Sequence, residues 1–298
     1  MVSFSAQSPT TEKLIPGYQL LVFNMPELPE VETIVRKLRH HLLGKTIKEA
    51  DVHWSRTLAF PSPKKFKEQI KGQEIKEVTR RAKFFILHLS DFSLLIHLRM
   101  SGDLSIKDSK IRPEKHDRLI LRLLSAQESP SNLVFNDTRK FGRVWLTADP
   151  EEVLGRLGPE PLSKRFTPRW LYAALQSKHR QIKPLLLDQT FLSGLGNIYA
   201  DESLNLAKLH PLTTSDSITV QQTEALHEAI RKVLKEGIRR NGASFDWVYR
   251  GGDFQNYFRV YDRAGKPCPT CGTDIERIIV GQRSTHFCPN CQMLPLLP

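Results

Sequence analysis

Cysteine is absent from the first 267 of the 298 residues. That absence excludes a disulfide framework for the body of the chain, whose length is enough for about two domains, each with its own core. No uninterrupted apolar run approaches the roughly 18 residues that a bilayer-spanning helix needs, so no association with a membrane is expected. Acidic residues are too few to balance the basic ones: Lys and Arg number 44, Asp and Glu 32, and 44 − 32 leaves +12. At 40% hydrophobic and 26% charged residues, the composition excludes wholesale disorder. The excess of +12 points to a polyanionic partner, with nucleic acid the first candidate. Charge alone leaves a merely soluble basic surface equally open.

The cysteine that is present comes all at the end. Cys268 and Cys271, then Cys288 and Cys291, form two C-x2-C pairs separated by 16 residues. Two such pairs supply four thiolates that can close tetrahedrally on one structural Zn(2+), leaving no open position for catalysis. The alternative, two disulfides, belongs to secreted proteins, and no signal peptide is legible; the zinc reading implies a reducing compartment. Pro267-Cys268-x-x-Cys271 is also half of a zinc-deaminase signature, but the other half, H-x-E, occurs nowhere in the chain.

Residues 1–24 resemble nothing that follows and fit neither a transit peptide nor a secretory signal. A helical pattern then opens at Glu30, with Val31, Ile34, Val35, Leu38 and Leu42 on one face and proline and acidic residues in its first turn. From about 47 to 147 short apolar runs recur near every ten residues, as in a β-sandwich: Ile47–Trp54, Glu74–Thr79, Lys83–Leu89, Leu94–Leu98, Arg118–Leu124, Leu133–Asn136 and Val144–Thr147. Gly155, Gly158, Pro159 and Pro161 mark a linker. Helical patterns follow over Thr167–Gln176, Gln181–Gln189, Asn197–Asn205 and Thr219–Arg240, and then the cysteine module.

Residues 25–32 read Met-Pro-Glu-Leu-Pro-Glu-Val-Glu. This resembles the start of the formamidopyrimidine-DNA glycosylase family. The resemblance continues, in order, through Leu98-Arg99-Met100-Ser101-Gly102, Glu114-Lys115-His116-Asp117, Asp137-Thr138-Arg139-Lys140-Phe141-Gly142 and Gly194-Leu195-Gly196-Asn197-Ile198-Tyr199-Ala200-Asp201-Glu202 to the four cysteines. It implies an α+β multidomain fold: an N-terminal β-sandwich over 25–156, a helix–two-turns–helix domain over 157–258 and a zinc finger over 259–293. It also implies base-excision repair of double-stranded DNA containing oxidised purines (8-oxoguanine, formamidopyrimidines) or abasic sites, followed by β,δ-elimination. A cytoplasmic, nucleoid-associated monomer is the corresponding expectation.

The chemistry needs a secondary amine that attacks C1′ and yields an iminium ion, an electron sink for elimination. Resemblance assigns that nitrogen to Pro26, which must then be the free end of the chain. As written Pro26 is internal, its nitrogen an amide without a lone pair to give. Either translation begins at Met25, whose removal exposes Pro26, or residues 1–25 are cut off later; Met25 directly before Pro26 favours the first. Resemblance further implies that Glu27 is the acid/base group and that Lys83 contacts phosphate and donates a proton. Met100, Arg139 and Phe141 would fill the void left by a flipped nucleotide. His116 and Asn197 would contact DNA, Asn197 from a helix start where free N–H groups attract anions. Arg283, between the cysteine pairs, would reach the lesion and assist elimination. Lys178, with Arg180, forms a basic cluster that suits phosphates. Tyr249–Asn256 occupies the place of the loop that partly closes the base pocket, and is somewhat short for it. Two other functions stay open on sequence alone: an endonuclease VIII-type glycosylase for oxidised pyrimidines, and a non-catalytic binder of damaged DNA if Pro26 is not terminal.

Overall fold

The computed structural model describes residues 25–125, 129–244 and 251–294. Helix α1 (Leu28–Leu42) opens the described chain. Nine strands follow: β1 (Thr46–Val52), β2 (Leu58–Phe60), β3 (Ile75–Arg81), β4 (Phe84–Leu89), β5 (Ser93–His97), β6 (Gly102–Asp108), β7 (Asp117–Leu124), β8 (Ser131–Asp137) and β9 (Arg143–Thr147), with α2 (Pro63–Ile70) between β2 and β3. They form two sheets, ordered β1-β7-β8-β6 and β2-β9-β5-β4-β3, antiparallel except for the β2–β9 pair. The core between them is built from alternate strand residues such as Ile47, Val78, Phe85, Leu87, Leu119, Leu133 and Phe135. The apolar face of α1, Val31 to Leu42, joins that core.

Beyond α3 (Glu151–Leu154) the chain turns helical: α4 (Pro168–Gln176), α5 (Ile182–Leu187), α6 (Asn197–Leu206) and α7 (Val220–Arg239). Thr167 caps α4 by accepting the Trp170 N–H at 3.1 Å, and Thr219 with Gln222 makes a capping box on α7. These helices share a second core that includes Leu171, Leu186, Ile198, Leu226 and Ile230, and Leu28 of α1 belongs to it. One helix therefore puts its first turn in one core and the rest in the other. The chain ends in the hairpin β10 (Glu276–Val280) and β11 (Arg283–Phe287), flanked by the cysteines. Its two-residue turn has positive φ at Gly281 and Gln282, the combination that a right-twisted hairpin prefers.

Within the sandwich the strands missed in the sequence, β2 and β6, are both sheet edges. Edge strands are short or carry charge, as β6 does in Gly-Asp-Leu-Ser-Ile-Lys-Asp, so their apolar signal is weak. No helix among the described residues is long and apolar enough to cross a membrane.

Candidate active site

Pro26 and Glu27 lie at the entry to α1, both buried. The Glu27 carboxylate crosses to the helical unit, where Oε2 accepts the Gly196 N–H at 2.6 Å and Oε1 the Ile198 N–H at 3.0 Å. Glu27 is thus the anion at the N-terminus of α6, taking N–H groups that the helix cannot satisfy itself. The approach is close enough that a Cβ at position 196 would overlap the Glu27 carboxyl, so glycine is required there. Burial above all pushes the Glu27 carboxyl up to about 7; Lys83 opposes the rise, Glu30 adds to it, and the two N–H bonds pull it back. Glu30, which the sequence suggests as a helix-start charge, is fully buried instead. It accepts the Glu27 N–H at 2.9 Å, the Tyr199 hydroxyl at 2.7 Å and the Ala243 N–H at 2.8 Å, tying α1 to α6 and to the end of α7.

Lys83 sits in the β3–β4 turn, buried, close enough to Glu27 and Glu30 for both to act on its charge. Burial holds its ammonium below the usual lysine range, with the two carboxylates opposing. The turn is held from outside. Ala82, at φ 52°, gives its N–H to Glu160, whose carboxylate also pairs with Arg80 at 2.5 Å. Arg81 donates to Ser193 Oγ at 2.7 Å and to the Gly158 carbonyl at 2.7 Å. The Gly- and Pro-rich linker read from sequence therefore anchors the Lys83 turn. Its one carboxylate among glycines and prolines, Glu160, was the available signal.

The finger hairpin is pinned to the same place. Lys183, fully buried on α5, lies 2.6 Å from Asp201 of α6 and donates to the Ser284 carbonyl at 3.0 Å and to Thr285 Oγ1 at 2.7 Å. Asp201 accepts the His286 N–H at 2.9 Å, and Asn197 Nδ2 donates to the Ser284 carbonyl at 2.9 Å. Asn197 begins α6, as its sequence pattern suggests, but its amide holds β11. These bonds fix the backbone directly after Arg283, whose side chain is exposed and whose charge is felt by Lys83 and Lys183. Lys183 and Asp201 escaped the sequence reading because a lone lysine and aspartate on apolar helices show no pairing until the helices meet.

Arg139 and Phe141 share a loop, and half-buried Met100 precedes Ser101, whose hydroxyl accepts the Arg139 N–H at 3.0 Å. Phe141 is exposed, with the Arg139 guanidinium 5.0 Å from its ring centre. Asp137, completely buried, knots the loops: its carboxylate accepts from the Ser101 hydroxyl, from the Arg139 N–H at 3.2 Å and from the Gly142 N–H at 2.7 Å. Half-buried His116 faces Arg118 through Nδ1 at 3.0 Å, and Arg118 Nε donates to the Asp137 carbonyl at 2.7 Å. Lys178 is exposed between α4 and α5, and none of the bonds described above reaches it. Tyr249 and Arg250 of the expected closing loop lie outside the described residues. From Gly251 the chain is held by Ser244, and Phe254 stacks on Tyr199 with ring centres 5.2 Å apart.

The four cysteine sulfurs all lie within 4.8 Å of one another, with neighbours at 3.4, 3.5 and 3.9 Å. Tetrahedral thiolates on zinc would stand about 3.8 Å apart, whereas a disulfide needs about 2.05 Å. The Thr270 N–H points at Cys268 Sγ and the Cys291 N–H at Cys288 Sγ, each at 3.4 Å, which steadies thiolates for a metal. The donor set fits a zinc ion.

Comparison with known proteins matches three family models in order: the formamidopyrimidine-DNA glycosylase N-terminal domain over 25–144, its H2TH domain over 157–247, and the zinc finger found in FPG and IleRS over 265–292. A formamidopyrimidine-DNA glycosylase of Chloroflexus aurantiacus is 47% identical over 279 residues, covering 90% of this chain and 98% of its own. The chain belongs to the formamidopyrimidine-DNA glycosylase family. Solved members of that family superpose on it: the Lactococcus lactis Fpg bound to abasic-site DNA, at 34% identity, and a MutM complex with DNA containing carbocyclic 8-oxo-G, at 35%. Each gives a TM-score of 0.83 and covers 90% of this chain and all of the solved one.

Proposed function

We propose that this formamidopyrimidine-DNA glycosylase family member excises oxidised purines from duplex DNA and then cuts the strand at the abasic site. The observation that carries the reading is the Glu27 carboxyl. It is buried beside Pro26, held by the start of α6, and poised near 7, so it can give or take a proton at neutral pH.

The Pro26 nitrogen, as a free chain end, attacks C1′ of the flipped nucleotide. The N-glycosidic bond breaks and the base leaves with the proton that the proline nitrogen gives up; the C1′–O4′ bond then opens as Glu27 supplies a proton to O4′. The resulting iminium acidifies the C2′ proton; its loss breaks the C3′–O bond, and a second elimination releases the 5′ side. Lys83, beside Glu27, and Arg283, whose charge reaches Lys83, face the phosphates and support the eliminations. Met100, Arg139 and Phe141 occupy the emptied stack, with Arg139 toward the orphaned base. His116, Asn197 and Lys178 contact the backbone, and Cys268, Cys271, Cys288 and Cys291 hold one zinc ion that keeps the hairpin folded. The domains divide at 156/157 and 258/259, and the working chain starts at Pro26.

Borohydride reduction in the presence of an 8-oxoguanine:C duplex tests the reading. A covalent adduct mapping to Pro26 is expected, from protein whose N-terminal sequence begins there. Binding without an adduct would make it a non-catalytic recogniser of damage, and preference for a thymine-glycol:A duplex would make it a pyrimidine-lesion enzyme.

A further inference from the structure

The loop that carries Arg139 and Phe141 has a third side chain between them, and its placement has a cause. Lys140 takes positive φ, 62°, and its Nζ stands 4.1 Å from the centre of the Trp54 ring. Trp54 lies just past β1, outside the loop and outside the motifs that resemble the family. Its indole N–H is buried and has no hydrogen-bond partner among the described residues, so no polar bond fixes the ring; its face on Lys140 is its specific contact to the loop. Two residues on, the Arg56 carbonyl accepts from Arg143, the residue that closes the same loop. The segment is itself held to the sheet, since His53 N–H donates to the Arg118 carbonyl at 2.9 Å. The segment 54–56 thus ties the loop at two points, Lys140 and Arg143, while Asp137 ties its start.

We propose that Trp54 is a positioning residue for recognition of the base opposite the lesion. By taking the Lys140 ammonium onto its ring it holds Lys140 in a backbone conformation uncommon for lysine, and so sets the direction in which Arg139 and Phe141 leave the loop. Without the ring, Lys140 is released to solvent or phosphate, and the two neighbours sample several directions. The chemical centre at Glu27 is built from other elements and keeps its form. This inference rests on the proposed void-filling role of Arg139 and Phe141.

The test is equilibrium binding of the full zinc-loaded protein to duplexes carrying a stable abasic analogue opposite cytosine or adenine. Wild-type protein should prefer cytosine. Trp54→Ala should lower that preference by about two- to fivefold, the weight of one cation–π contact, while Trp54→Phe should keep most of it. Lys140→Met should reproduce Trp54→Ala, and the double variant should lose no more than either single one. Unchanged melting of each variant shows that the fold is kept. If wild type does not bind or shows no base preference, the proposed function is at fault. If wild type discriminates and folded Trp54→Ala discriminates equally, the positioning role of Trp54 is wrong.

Discussion

In the proposed reaction a single carboxyl concentrates the chemistry. Because burial raises Glu27 above its ordinary range, the folded chain binds a proton there that the unfolded chain releases. Between about 4.5 and about 7 the native state therefore holds more protons, and its stability falls as pH rises through that window. Glu27→Gln removes this dependence, so the stability difference between variant and wild type should shift in the variant's favour across the window, by on the order of 1–3 kcal/mol. Parallel urea titrations at pH 4.5 and 8 measure it; a pH-independent difference would show that Glu27 titrates normally. The same variant should lose base excision about 10²-fold or more, the weight of a positioned acid/base group. The motifs that hold Pro26, Glu27 and each cysteine pair were legible because each is local in sequence. Glu30 was legible as an acidic residue at a helix start, but three acceptor bonds from 27, 199 and 243 have no signature in a linear chain.

At the level of elements, the site is made by junctions rather than by any one helix or strand. Helix α6 offers its N-terminus to Glu27 only because position 196 lacks a side chain. Gly196→Ala should displace the carboxylate and depress excision while affinity for an abasic-analogue duplex persists, as single-turnover and binding assays on the same preparation would show. Lys183→Met should be costlier to the fold. It leaves Asp201 buried without its cation, a loss of about 3–5 kcal/mol, visible as a fall in melting temperature. Five helical patterns and seven of the nine sandwich strands were readable from periodicity. The edges β2 and β6 were not, because a strand that faces solvent on one side and pairs on the other has little apolar pattern to show. The linker read from Gly155 to Pro161 is a connection in sequence but an anchor in space, since Glu160 reaches back to Arg80 and Ala82.

For the whole molecule, the +12 charge governs encounter with DNA. Affinity for any duplex should fall steeply between 50 and 200 mM salt, roughly 10³–10⁵-fold if six to ten phosphates are neutralised, with a linear log–log slope. Cys288→Ser, or removal of metal by a chelator, should unfold the finger and cost DNA affinity, followed by circular dichroism and fluorescence anisotropy. Net charge only pointed toward a polyanion, and the ordered motifs narrowed it to DNA, whereas the meeting of α1, α6 and the hairpin at one point belongs only to the tertiary structure. That meeting carries a last consequence. Glu27 belongs by chain to one half of the molecule and by its bonds to the other. Were the halves to part, water would reach the carboxyl and its proton would leave at neutral pH; on the proposed mechanism the reaction would then stall before any glycosidic bond was touched. On that mechanism the molecule carries its own interlock: only a fully assembled body keeps the acid form ready for DNA.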